Sequence, residues 1–319
     1  MREFLFSYDD ICLRPEYSKL GSRSEGDTST TFLGHKVRLP VIPANMQDVI
    51  SWDIAGALDI NDYFYIMHRF DDANRKMPDR IRAGMDTKLI SISVGVNEPS
   101  EKELHELIQQ CAVPNVIAID VAHGHHRKVA EMICWIKNSF HRPPGCPKII
   151  AGNVATADGY KFLCDSGADA VKVGIGGGSI CTTRYKTGFH IPTAYSVWDC
   201  ATNGDRDVPI IADGGAKHFG DIAKALVLGA DMVMSGRWFA ECLDSPAKIV
   251  HGQKVYRGST SYELKGHNHH IEGQTIEIAQ GCTYAERLAE IKQALQSSLS
   301  YAGGKDLSIF RTTKWYVCH

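Results

Sequence analysis

Eight short apolar runs recur along the chain, each closing in polar or glycine residues: 39–45, 63–68, 89–95, 116–120, 148–153, 170–175, 208–215 and 231–236. Segments with helical period lie between several of them, at 101–111, 126–139, 157–166 and 220–228. Near-continuous apolar strands alternating with amphipathic helices predict a parallel sheet covered by helices. Eight such units favour an α/β fold of the (β/α)8 TIM-barrel class over an open doubly wound sheet, although alternation alone leaves both open. The polar stretch 251–280 breaks the rhythm and predicts a flap insertion after the eighth strand, at about 256–280. A closing helix follows at 284–297, with Ala285, Leu288, Ile291 and Leu295 on one face. Eight units closed into one barrel make a single domain over 1–319.

A barrel places its chemistry on the loops after the strand C-termini. Asn45, His68, Arg69, Asp120, His123, Asn153, Cys181, Asp213 and Gly215 all fall at or just past the end of an apolar run. Glycine loops at 174–178, 214–215 and 236 suit a phosphate cradle, because backbone N–H groups there approach an anion closely. Cys181 follows the first of these loops, flanked by Ser179, Thr182 and Thr183 and followed by Arg184, a setting that favours a thiolate. Locally, a glycine-rich turn with a small buried thiol explains the stretch equally well.

Composition narrows the function classes. With 319 residues, 44% hydrophobic, the chain can bury a sizeable core, and a formal charge of -2 argues against a nucleic-acid surface. No run of about 18 apolar residues or signal-peptide stretch is present, so a cytoplasmic protein without a membrane partner is expected. The ten cysteines contain no C-x-x-C pair, which fits reduced thiols. His267, His269 and His270 invite a metal reading, but their loop lacks a carboxylate or cysteine complement and solvated histidine is the commoner outcome. Residues 174–178 resemble part of a dinucleotide fingerprint, yet Ser-Ile-Cys follows where a helix should open.

The run Gly177-Gly178-Ser179-Ile180-Cys181-Thr182-Thr183-Arg184 resembles the active-site loop of the inosine monophosphate dehydrogenase and guanosine monophosphate reductase family. Pro43-Ala44-Asn45-Met46, Ile119-Asp120-Val121-Ala122-His123-Gly124-His125, Ala151-Gly152-Asn153-Val154, Ile211-Ala212-Asp213-Gly214-Gly215, Asp221-Ile222-Ala223-Lys224-Ala225 and Ser300-Tyr301-Ala302-Gly303-Gly304 extend the likeness over about 5–305. The reductase branch is the nearer match. Met67-His68-Arg69-Phe70 runs on without the dehydrogenases' regulatory insert, Thr183 follows the cysteine by two, and the flap offers Glu272-Gly273 where the dehydrogenases carry an Arg-Tyr pair.

The resemblance implies reductive deamination of GMP to IMP and ammonia, with NADPH as cofactor. Cys181 would attack C2 of guanine to give a thioimidate, and Thr183 with Glu272 would relay a proton to the departing amine. Ser179, Gly215, Gly236 and Tyr256 would hold the 5′-phosphate, Asp213 the ribose, and Ser259 and Thr260 would face the base. Asp120, His123, Gly124, Asn153 and Arg69 would lie on the cofactor side. A monovalent cation, K+, near Gly176, Gly178 and Cys181 and a homotetramer are implied too. Three departures from the family pattern stand out: Gly177, the stretch Gly188-Phe189-His190-Ile191-Pro192-Thr193, and Arg237, which would add a phosphate contact or crowd the pocket. Oxidation of IMP to xanthosine monophosphate, and a purine-nucleotide-binding regulator without turnover, are the alternatives.

Overall fold

A computed structural model describes residues 4–82, 88–110, 112–140, 146–205, 208–262, 269 and 271–318. Seven of the eight apolar runs form one parallel sheet, from strands Val41–Pro43, Ser91–Val94, Val116–Asp120, Lys148–Val154, Ala170–Val173, Ile210–Asp213 and Met232–Ser235. Their order follows the sequence, and the first strand pairs with the last, Val41 opposite Val233. The sheet therefore curls into a barrel. The eighth run joins it differently. Phe64, Tyr65 and Ile66 are fully buried, but the run meets its neighbour through a single parallel bridge, Met67 to Ile92, in which the Met67 N–H donates to Ser91 O at 2.9 Å. The Tyr63 N–H turns instead to Leu58 O, and the Tyr65 hydroxyl donates to Leu89 O at 2.7 Å.

The strands are buried on both faces, as their β-branched composition requires. Helices cover the outside, several of them with one apolar stripe. In Arg127–Ser139 that stripe is Val129, Met132, Ile133 and Ile136, and the His126 ring caps the first turn by accepting from the Lys128 N–H. The helix expected at 101–111 begins earlier, as Glu98–Gln109, because Asn97 caps it and Pro99 suits its first turn; Cys111 lies outside the described residues. The final helix is longer than its apolar stripe suggested, Tyr284–Ala302, opened by a Thr283–Glu286 capping box and closed by Gly303 in the left-handed region. Two helices without a clear periodic signal, Trp52–Ile60 and Thr193–Asn203, complete the wall.

The stretch that broke the rhythm is built on an antiparallel sheet of Ile249–Val250, Gln253–Arg257 and Thr275–Ile278, with Tyr256 opposite Ile276. A buried ion pair ties this sheet to the loop after the first barrel strand. The Arg257 guanidinium and N–H both donate to Asp48, whose side chain is fully buried. Lys254, equally buried, donates to Leu243 O and Ser245 O at 3.0 and 2.9 Å. Among the described residues no helix is long and apolar enough to cross a membrane.

Candidate active site

Cys181 sits where the loop after strand Ala170–Val173 meets the far end of the 251–280 excursion. The two segments are joined as strand partners: Cys181 bridges Gly273, the Thr182 N–H donates to Glu272 O at 2.7 Å, and the Gln274 N–H donates to Ile180 O at 3.0 Å. This pairing brings three side chains into a line. The Cys181 thiol donates to Thr183 Oγ1 at 3.2 Å, and the Thr183 hydroxyl donates to Glu272 Oε2 at 2.6 Å. The excursion itself leaves and returns through a narrow neck, where Gly258 and Gly273 touch backbone to backbone; a Cβ on Gly258 would lie 2.8 Å from Gly273 Cα. The Gly258 N–H donates to Gln274 O across that neck.

A cleft of about 940 Å³ opens beside the cysteine. Ser179, Asp213, Gly215, Gly236, Arg237, Tyr256, Ser259 and Thr260 all line it, with Glu272 and the glycines 176–178. Tyr256 reaches the cleft floor because residue 236 has no side chain: a Cβ there would lie 2.1 Å from the Tyr256 hydroxyl. Burial first, then the charges of Asp213 and Asp48, push the Tyr256 phenol well up, so it stays protonated and able to donate. Arg237 points its Nε at Glu241 Oε1, 2.9 Å away, and Arg287 lies 3.7 Å from the same carboxylate. Arg237 thus adds charge to the wall without closing the cleft. His190, from the departing stretch, also lines the cleft and holds Ile175 O at 3.0 Å through Nδ1.

The residues assigned to the cofactor side do not line this cleft; they gather beyond it, around Lys172. That lysine is 2% exposed, with Nζ 2.6 Å from Asp120 Oδ1 and 3.0 Å from Asp213 Oδ2. Burial disfavours its charge, but the two carboxylates outweigh that and hold the ammonium above its usual range. For Asp120, burial resists ionisation, and the Lys172 charge, helped by Arg69 and by Asn45 Nδ2 at 3.1 Å, holds the carboxyl below its usual range. Asn153 Nδ2 donates to Asp213 Oδ2 and to Gly174 O, both at 2.8 Å. Gly124 fastens the neighbouring loop, its N–H donating to Asn153 O at 2.6 Å, while His123 is exposed. Burial pushes the nearby His68 down to about 4, which leaves it neutral near pH 7.

Lys172 escaped the sequence reading. Its signal was a lone charge inside a β-branched run, and the register explains how the charge is met. Asp120, Gly152 and Lys172 form one row across three strands, and a Cβ on Gly152 would lie 2.6 Å from Lys172 Cβ. The missing side chain lets Lys172 reach across to Asp120. Met46, Tyr8 and Thr193, also in the cleft wall, carried no comparable signal. His267, Asn268 and His270 lie outside the described residues.

Two buried polar atoms on the Asp120 side, Asn153 Oδ1 and Arg69 Nε, have no hydrogen-bond partner among the described residues. They offer one acceptor and one donor, the complement of a carboxamide. For a monovalent cation the glycine loop offers carbonyls, of which Gly178 O already accepts the Cys181 N–H at 3.1 Å.

The family described as "IMP dehydrogenase / GMP reductase domain" matches residues 5–318. The chain is 43% identical to a GMP reductase of Shouchella clausii, over 99% of this chain and 96% of the relative. It is 43% identical to a GMP reductase of Oenococcus oeni, over 98% and 97%, and 42% identical to one of Staphylococcus aureus, over 98% and 96%. On a matching barrel, cysteine loop and near-complete coverage, this chain belongs to the IMP dehydrogenase / GMP reductase family.

Proposed function

We propose that the chain is a GMP reductase, an oxidoreductase of purine nucleotide metabolism that converts GMP to IMP and ammonia. The observation that carries the reading is the hydrogen-bonded line Cys181, Thr183, Glu272 beside a glycine-walled cleft. A thiol must lose its proton to attack, and an amine must gain one to leave. The line serves both needs in turn. A proton passing from Cys181 through the Thr183 hydroxyl to Glu272 leaves a thiolate to add to C2 of the purine. The same proton, returned through Thr183, lets the C2–N bond break with ammonia as leaving group. The sulfur remains on C2 as a thioimidate until it departs and IMP is released.

The glycines at 215 and 236, Ser179 and the Tyr256 hydroxyl would hold the 5′-phosphate, with Arg237 adding charge. Asp213, steadied by Lys172 and Asn153, would take the ribose hydroxyls, and Ser259 and Thr260 would read the base. Asn153 and Arg69, with their unpartnered atoms, would hold the nicotinamide end of NADPH, and Asp120, His123 and Gly124 would border it. When bound, NADPH supplies the hydride that replaces sulfur at C2. Residues 256–280 act as the flap that carries Glu272. Family resemblance also supports a single catalytic domain, a cytoplasmic homotetramer, and K+ at the carbonyls of Gly176, Gly178 and Cys181, although no step above uses the ion. The test is purified protein with GMP and NADPH, followed at 340 nm with IMP and ammonia measured as products. Turnover is expected; no GMP-dependent loss of absorbance, or NADH formation from IMP instead, overturns the reading.

A further inference from the structure

Cys12 and Cys318 are 306 positions apart in sequence, yet their sulfurs lie 3.2 Å apart. Strand pairing brings them together. Ile11–Leu13 runs antiparallel to Trp315–Val317 with Cys12 opposite Tyr316, and the next rung is fixed by the Cys318 N–H donating to Asp10 O at 2.7 Å. Residues two apart share a face of a strand, so Cys318 projects on the side of Tyr316, diagonally across from Cys12. Both thiols are exposed. Cys200 and Cys242 are buried, and burial pushes the Cys242 thiol up to about 12, which suits inert core residues. In the exposed pair the roles are unequal: the Cys318 thiol donates to Cys12 Sγ, which raises Cys318, and the nearby Lys224 ammonium pulls it the other way.

We propose that Cys12 and Cys318 are a redox modification site that closes to a reversible disulfide under a peroxide-class oxidant. Cys12 as thiolate attacks one peroxide oxygen; the S–O bond forms, the O–O bond breaks, and hydroxide leaves to become water, giving a sulfenic acid. The Cys318 sulfur then attacks the Cys12 sulfur, the S–S bond forms, and the S–O bond breaks with a second water carrying the Cys318 proton. Two thiols are oxidised and one hydrogen peroxide is reduced to two waters. The disulfide fastens the strand that follows the Tyr8–Asp10 turn, and that turn lends Tyr8 to the cleft wall and Asp9 to Lys217. The constraint falls chiefly on the unfolded chain, because the closed loop is very long.

The experiment treats the full chain with one equivalent of hydrogen peroxide, then digests it without reductant for mass spectrometry. A peptide pair joining Cys12 to Cys318, two hydrogens lighter than the thiols and separated by dithiothreitol, is expected. The thermal midpoint should rise by several degrees on oxidation and return on reduction. Cys12→Ser and Cys318→Ser should keep basal activity and show no rise. Absence of the linked pair, Cys12 sulfenic acid trapped by dimedone as fully in the wild type as in Cys318→Ser, or a disulfide to Cys181 in its place overturns the proposal.

Discussion

Glu272 places its carboxylate 2.6 Å from the Thr183 hydroxyl from 89 positions away in the sequence. The distance is set by backbone, since the residue on each side of this contact is held by main-chain hydrogen bonds between the cysteine loop and 272–274. A side-chain change at either position therefore tests chemistry more than folding.

Glu272→Gln and Thr183→Val are each expected to lower kcat by about 10²- to 10⁴-fold, the usual loss when a positioned proton-transfer group is removed. KM for GMP should move far less, because neither side chain is placed to hold phosphate or ribose. Steady-state assays at 340 nm check both. A large rise in KM with unchanged kcat would show binding groups instead of a relay.

Cys181→Ala should abolish turnover while leaving GMP binding nearly intact. Titration calorimetry with GMP, alongside intact-mass detection of a covalent adduct in the wild type, distinguishes a nucleophile from a wall residue.

Lys172→Met should cost about 3–5 kcal/mol of stability, because it leaves Asp120 and Asp213 facing each other without their cation. Urea unfolding measures it. The pH dependence has a defined sign. Asp120 is held low in the folded state, so its contribution is present above its unfolded value of about 3.9 and fades as pH falls through the folded one. Lys172 is held high, so its contribution is present below about pH 10.4 and fades as pH rises through its folded value. Asp120→Asn should flatten the acid limb of the stability curve.

Gly236→Ala should raise KM for GMP about ten- to a hundredfold, since its Cβ would overlap the Tyr256 hydroxyl and overpacking of this kind costs about 1–3 kcal/mol. Tyr256→Phe in the same background removes the overlapping oxygen. Partial relief of the packing strain, seen as recovered thermal stability, is expected of the double variant.

Asp48→Asn should weaken the anchor between the first barrel loop and strand Gln253–Arg257 by removing the buried charge that the Arg257 guanidinium donates to. Stability should fall by about 3–5 kcal/mol. Hydrogen exchange should rise in 253–257 before it rises in the barrel strands.

Much of the frame was legible because several barrel strands carry a polar residue at or near their C-terminal end. Asn45, Asp120, Asn153 and Asp213 could be picked out of the sequence by position, and they converge on one network. The lysine at its centre could not, because Lys172 lies inside an apolar run and its partners are named only by register. The run 63–68 has a strand's composition, but hydrogen bonds to Leu58 and Leu89 replace most of a ladder that composition cannot foresee. Glu272 was readable only through family likeness: periodicity says nothing about which loop folds back onto which. Arg237 and Glu241 form a pair one helical turn apart, yet sequence alone could not say whether the arginine fills the cleft or borders it.

The neck at Gly258 and Gly273 separates two kinds of change. Ser259 and Thr260 lie inside it, while Glu272 is fixed to the cysteine loop just where the chain re-enters. Side-chain changes at Ser259 and Thr260 thus leave in place the main-chain bonds that seat Glu272, from its own N–H to Thr260 O and from the Thr182 N–H to its carbonyl. On the proposed roles, base preference rests with Ser259 and Thr260 and bond breaking with Glu272, so selection could retune the purine accepted while the reaction performed stays put.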